Sequence, residues 1–195
     1  MNRLVCLAVM ICALACTKTS NYNAPAKQNP GNGYTEYLIP KNQHDARGSN
    51  LAFIKKKQMR FEALFDSSCI YSTLDAANQK DINKLYGFSD CGTHHHQNSA
   101  RVGWVWNGSA IELHAYCYAA GVRSSKLMGT IRPGEPAVIT ISVQPQHYVF
   151  EWNGNKTLME RHCGGDQIDG YQLYPYFGGD ELAPHDIRVL VKNLE

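Results

Sequence analysis

RVGWVWNGSAIELHAYCY, residues 101–118, holds two short runs of β-branched and aromatic residues on either side of Asn107-Gly108. Such runs read as strands, and Asn-Gly is the preferred chemistry of a two-residue hairpin because both turn positions take positive φ. Side chains alternate along a strand, so Ile111, Leu113, Ala115 and Cys117 share one face and Glu112, His114, Tyr116 and Tyr118 the other. The first face reads as core. A two-residue loop pairs Trp106 with Ser109 and Trp104 with Ile111, which puts both tryptophans on the core face and Arg101 opposite His114 on the outer one. A bulge or a three-residue loop would carry the tryptophans to the outer face instead.

The same pattern recurs along the chain. Beyond 101–106 and 111–118, strands are predicted near 51–54, 59–66, 127–131, 137–143, 147–152, 171–177 and 186–192, and Asn153-Gly154 marks a second hairpin between HYVFEW and KTLME. The one helical candidate is Asp75 to Leu85, DAANQKDINKL, whose small apolar face limits it to one or two surface turns. Many antiparallel strands with so little helix to cover a sheet imply an all-β domain of two facing sheets, a sandwich or jelly roll.

Ahead of this domain, Arg3 precedes an apolar run from Leu4 to Leu14 that is too short to span a bilayer and reads as a secretory signal. Ala13-Leu14-Ala15-Cys16 resembles a bacterial lipoprotein cleavage site, with Ala13 where that family usually has leucine. The resemblance implies a lipidated Cys16 and a bacterial cell-envelope location, anchored to a membrane outside the cytoplasm. An ordinary secretory signal that happens to contain Cys16 is the alternative. The organisation expected is a signal over 1–15, a lipidated N-terminus and flexible tether over 16–48, rich in Asn, Pro, Gly, Lys and Thr, and a folded domain over 49–195.

Of the seven cysteines, Cys6 and Cys12 fall in the expected signal, and the lipoprotein resemblance implies that Cys16 is consumed by lipid. Cys69, Cys91, Cys117 and Cys163 then read as two disulfides of an exported domain. Their connectivity is open from sequence; Cys69–Cys91 with Cys117–Cys163 is the favoured pairing. The formal net charge is +2, with both signs mixed along the chain, which argues against nucleic acid as a partner.

The outer face of the hairpin, with Arg101, Glu112, His114, Tyr116 and Tyr118, and with Arg123 in the loop beyond, suits a glycan. Pyranoses offer C–H patches that stack on aromatic rings and hydroxyls that need fixed donors and acceptors, and tyrosine supplies both. The bland alternative is a solvated face of ordinary strand formers. Polysaccharide β-elimination needs a base, a group to neutralise a uronate carboxylate and an acid for the leaving oxygen; His114, Arg101 and Tyr116 are the right types, with Arg123 able to replace Arg101. No GxSxG nucleophile motif is present.

Two clusters raise the question of a metal. Asp90, His94 and His96 are of the types that hold zinc or copper, or else hydrogen-bond a loop in place. Asp166, Asp169, Asp180, Glu181 and Asp186 sit in Gly-rich turns, where hard oxygen ligands hold calcium, with Asp180 and Glu181 the named candidates. Acids also recur in turns simply because they accept from turn N–H groups. His185 and Asp186 are read as fastening the last turn.

YGFSDCGTHHHQNSARVGW (86–104), ELHAYCYAAGVR (112–123) and YPYFGGDELAPHDI (174–187) together resemble a group of exported bacterial proteins, often lipoproteins, that carry a concanavalin A-like jelly roll. That fold includes lectin-like modules, glycoside hydrolases and polysaccharide lyases, so the resemblance implies carbohydrate without choosing a reaction. The E-x-D-x-x-E strand of such hydrolases is missing here. Three functions stay open: an envelope-tethered glycan-binding protein, a polysaccharide lyase, and a structural or protein-interaction lipoprotein.

Overall fold

Strict alternation builds the larger of two sheets. Met59, Phe61, Ala63 and Phe65 of one strand, Ala137, Ile139 and Ile141 of a second, and Ile187, Val189 and Val191 of a third point inward and are buried, while their neighbours face out. In a computed structural model that describes residues 27–29 and 32–194, the strands are β1 (Lys27–Asn29), β2 (Tyr34–Ile39), β3 (Phe53–Lys56), β4 (Gln58–Phe65), β5 (Asn83–Ser89), β6 (Ser99–Trp106) and β7 (Ile111–Ala119). They continue as β8 (Val122–Ile131), β9 (Pro136–Gln144), β10 (His147–Trp152), β11 (Asn155–Glu160), β12 (Ile168–Leu173) and β13 (Ile187–Asn193).

A seven-stranded sheet, β1-β2-β13-β4-β9-β10-β11, faces a six-stranded one, β3-β12-β5-β6-β7-β8, and every pairing is antiparallel. This is the expected jelly-roll sandwich, of concanavalin A-like type. Its core runs between the sheets, with Trp104, Leu113 and Phe88 of one against Phe61, Phe65 and Phe150 of the other. Tyr71 closes over it, edge-on to Trp104 and to Phe177.

The hairpin faces are as the alternation predicts, while its register differs. Trp106 pairs with Ile111 and Arg101 with Tyr116, because the loop has four residues and is organised by Asn107. The Asn107 Oδ1 accepts from the backbone of Ser109 and Ala110, and its own N–H donates to the Ala110 carbonyl. A slip of two residues keeps every side chain on its face. The Asn153-Gly154 hairpin closes in two residues, both at positive φ.

Three expectations are corrected. The folded domain does not wait for residue 49: Tyr34–Ile39 is β2, hydrogen-bonded along β13, and Ile39 and Ala46 are buried. A short apolar alternation of Tyr37 and Ile39 is enough to extend the sheet β13 begins, despite polar flanks. The helical candidate ends early, because only Ala76–Lys80 forms a 3-10 turn, N-capped by Asp75, and residues from Asn83 onward enter β5 at the middle of the six-stranded sheet. A second 3-10 turn spans Ser67–Cys69. The disulfide joins Cys91 to Cys163, neither predicted partner. Cys117 points into the core as its face requires, and Cys69 donates to the Arg188 carbonyl; both are buried free thiols that burial holds well above the usual thiol range. The signal and Cys16 lie outside the described residues.

Candidate functional site

The central strands of the six-stranded sheet are buried on both faces, β6 almost throughout. One face meets the core, so something covers the other. Segments 174–179 and 45–49 and the turn carrying His95 and His96 rise around it and leave a cleft of about 450 Å³. Gly178 permits this close approach: a Cβ there would stand 2.1 Å from the Ile82 carbonyl oxygen and 2.7 Å from Lys84 Nζ.

Arg101 from β6, Tyr116 and Tyr118 from β7, Lys84 from β5 and Arg123 from β8 line the cleft. Arg101 is 7% exposed, lies opposite Tyr116, and forms no ion pair among the described residues; its Nε has no hydrogen-bond partner. Burial pushes its guanidinium below the ordinary arginine range, against the pull of the surrounding tyrosines, yet an arginine remains cationic. Lys84 Nζ lies 5.2 Å from the centre of the Tyr116 ring and 5.7 Å from that of Tyr176. Its ammonium is pushed down to about 8, by burial first and then by Arg101 and Arg123.

The phenols are tuned as well. Burial, then a hydrogen bond with Tyr118, pushes Tyr116 up to about 12, while Arg123 and Arg101 oppose the rise. The two rings lie 6.0 Å apart at 68°, and the His96 ring sits 5.1 Å from Tyr118. Burial, then the Arg101 charge and its histidine neighbours, drops His95 to about 4. The cleft is therefore cationic and aromatic: among the described residues, Asp45 is the one carboxylate lining it.

Of the predicted glycan residues, Arg101, Tyr116, Tyr118 and Arg123 come together, and Glu112 and His114 do not join them. Both lie on the predicted face, but Ile82 divides it: a Cβ on Gly103, the cross-strand partner of His114, would meet the Ile82 methyl at 2.4 Å. Beyond Ile82, Glu112 and His114 line a second cavity of about 560 Å³ beneath the Ala76–Lys80 turn. There His114 Nε2 is 3.3 Å from Glu112 Oε2, and Asn107 Nδ2 donates to Glu112 Oε1. Lys84, His95 and Tyr176 were not read from sequence as cleft residues; Lys84 fell in the supposed helix, His95 lies in the turn that leads into β6, and Tyr176 lies on a segment remote from the hairpin.

The acidic metal candidates have other work. Asp90 is fully buried, accepting from Arg161 Nε at 2.8 Å and from the backbone of Cys91 and Asp169, so it is corrected as a ligand partner of His94 and His96. Glu181 accepts from the backbone of Leu74 and Asp75 and from Asn78, and those backbone bonds hold its carboxyl below the usual range. Neither Asp180 nor Glu181 belongs to a group of three converging ligands among the described residues. Asp166 pairs with Lys57, and Asp186 accepts from the Lys41 backbone. His185 faces the Ser68 carbonyl at 2.8 Å, which is the fastening role read for it.

No protein-family model matches the chain, and no curated protein sequence is significantly similar to it. Solved structures are similar in fold. The alginate lyase vAL-1 from a Chlorella virus superposes over 86% of each chain at 12% identity, TM-score 0.54. The alginate lyase AlyC3 superposes over 83% of this chain and 75% of its own at 10% identity, TM-score 0.58. SCLam, a non-specific endo-β-1,3(4)-glucanase from family GH16, does so over 87% and 75% at 11% identity, TM-score 0.55. At such identities the likeness establishes the architecture, a jelly-roll sandwich shared by these proteins.

Proposed function

We propose that this protein binds an acidic, uronate-bearing polysaccharide in the cleft of the six-stranded sheet. The observation that carries the reading is Arg101, a buried cation in no ion pair among the described residues, flanked by Lys84 and Arg123 and by tyrosines set edge-on to each other. A buried charge without a counter-charge is unfavourable, and a uronate carboxylate relieves it with charge-assisted hydrogen bonds while the sugar ring lies on tyrosine. The test is affinity electrophoresis of the mature chain against polyuronates and neutral glucans. Retardation by a polyuronate, lost in Arg101→Met, is the expected result. Equal retardation by neutral glucans, or none by either class, overturns it.

The same residues favour a second reading, β-elimination, and two of the structures similar to this chain are alginate lyases. Arg101 and Lys84 would neutralise the carboxylate and stabilise the carbanion formed when the adjacent C5 proton leaves. Tyr116 and Tyr118, neighbours on one face of β7, would serve as the acid–base pair: one phenolate takes the C5 proton, the C4–O bond breaks as the C4=C5 bond forms, and a phenol protonates the leaving oxygen. His114, the other base read from sequence, lies outside this cleft. Growth of the ultraviolet absorbance of unsaturated uronate distinguishes a lyase from a binder.

An extracytoplasmic, lipid-tethered location belongs to the same proposal, supported by the Cys91–Cys163 disulfide. Cys16→Ala should then move the protein from the membrane to the soluble fraction; an unchanged distribution overturns the anchor.

A further inference from the structure

The turn between β5 and β6 carries three consecutive histidines whose rings stay together. The centroids of His94 and His95 are 4.2 Å apart, those of His95 and His96 4.4 Å and those of His94 and His96 5.1 Å. One ligand nitrogen from each lies within 4.8 Å of the other two.

The backbone beneath them is pinned. Cys91 is bound to Cys163, the Gly92 N–H donates to the Asp169 carbonyl at 2.7 Å, Thr93 Oγ1 donates to the Asp90 carbonyl and the Gln97 N–H to that of His94. The Tyr171 hydroxyl accepts the His95 backbone N–H and lies 3.0 Å from His95 Nδ1. With the ring proton on Nδ1, facing that hydroxyl, Nε2 keeps its lone pair. This is the outer partner that a metal-ligating imidazole uses to fix its tautomer. None of the three histidines is in an ion pair among the described residues; His114 and His162, elsewhere, face glutamates.

We infer that His94, His95 and His96 form a binding site for a borderline divalent transition ion, zinc or copper, at the rim of the cleft. Three neutral imidazoles suit those ions, and hard calcium or magnesium would not choose them. Bonds of about 2.0–2.1 Å place ligand nitrogens roughly 3.4 Å apart. The rings must therefore close by little over ~1 Å from their widest spread, a rotation open to the exposed side chains of His94 and His96. His95 takes the place that the sequence reading gave to Asp90. Three protein ligands leave one position of a tetrahedral ion for water or a bound oxygen. Since His95 and His96 also line the cleft, the ion adds positive charge beside Arg101.

The site does not rest on the glycan reading. Its test is calorimetric titration of the mature chain, free of any histidine tag, with zinc(II) at neutral pH. One saturable site is expected, weakened about tenfold or more in His94→Ala and in His96→Ala and about tenfold in Tyr171→Phe, which removes only the outer hydroxyl. His162→Ala should leave it unchanged. Zinc affinity that survives the double variant His94→Ala/His96→Ala, or natively folded wild-type chain that takes up no zinc, overturns the inference. Arg101→Met separates the two readings: it removes polyuronate binding and keeps the one-to-one zinc stoichiometry.

Discussion

Two arginines of this molecule are both buried and oppositely provided for. The Arg161 side chain is 1% exposed, and its guanidinium donates to Asp90 Oδ2 and to the carbonyls of Gln144, Cys163, Gly165 and Gln167. That one cation gathers the whole loop between β11 and β12 beside the disulfide. Arg101, 7% exposed, has no such set: no ion pair among the described residues, an unpartnered Nε, and tyrosines around it. Burial alone does not tell a structural charge from a functional one. Completeness of partners does, because a buried ion left incomplete is tolerated only where something outside the protein completes it.

The comparison is broken most severely at Arg161. Arg161→Ala leaves Asp90 buried without its cation and frees four carbonyls, so stability should fall by about 3–5 kcal/mol in a denaturant titration. A loss below ~1 kcal/mol would mean the loop is held by the disulfide alone. Arg101→Met should do the reverse. Removing an unpaired buried cation and keeping an apolar stem leaves the denaturation midpoint equal or higher, while polyuronate affinity falls about 10–100-fold, the worth of a charge-assisted hydrogen-bond pair. If Arg101→Met unfolds the protein as readily as Arg161→Ala, the contrast between the two sites is false.

Much of the architecture was legible because β4, β7, β9 and β13 alternate, β6 and β10 are runs of β-branched and aromatic residues, and two Asn-Gly pairs mark turns. The misses have physical causes. β5 hid in DAANQKDINKL because its burial on both faces erases the alternation: Lys84 looks out into the cleft, Leu85 is core, and a bulge follows between Lys84 and Tyr86. The Cys91–Cys163 bond spans 72 residues and is set by sheet order, which spacing does not encode. Of the site, Arg101, Tyr116, Tyr118 and Arg123 were readable because they sit on three strands consecutive in the chain, Arg123 at the start of β8 rather than in the loop expected for it. The walls were not, since Asp45 and Tyr176 arrive from distant loops. Arg161 gave no signal at all: a lone arginine before His162 and Cys163 says nothing of the carbonyls that will surround it.

A smaller effect sharpens the Arg101 side of the comparison through pH. The charged form of Lys84 helps bind the anion, and burial with two arginines nearby brings its pKa down to about 8. At about pH 6 it is protonated and at about pH 10 it is mostly neutral, so polyuronate affinity should fall as pH rises through that value. Lys84→Met should bind more weakly at low pH, by about 1 kcal/mol, and lose this slope. The binding heat should also vary with buffer ionisation near pH ~8, since an anion seated beside Lys84 raises its pKa and draws in a proton. A slope that persists in Lys84→Met assigns the titration elsewhere.

The smallest expected effect is none, and it tests whether the outer face is one site or two. Glu112 and His114 stand on the same strand and the same face as Tyr116 and Tyr118, and by alternation alone they belong with them. Ile82 packs over Gly103 between the pairs and leaves Glu112 and His114 facing each other under the Ala76–Lys80 turn. Glu112→Gln and His114→Ala should therefore leave polyuronate affinity within about twofold of wild type, well under the ~1.4 kcal/mol that a tenfold change requires. Ile82→Ala, which lowers the partition, should be what makes His114→Ala matter. A tenfold loss in His114→Ala with Ile82 in place would join the two cavities into one binding surface, and would make the strand's alternation, not its cover, the feature that defines the site.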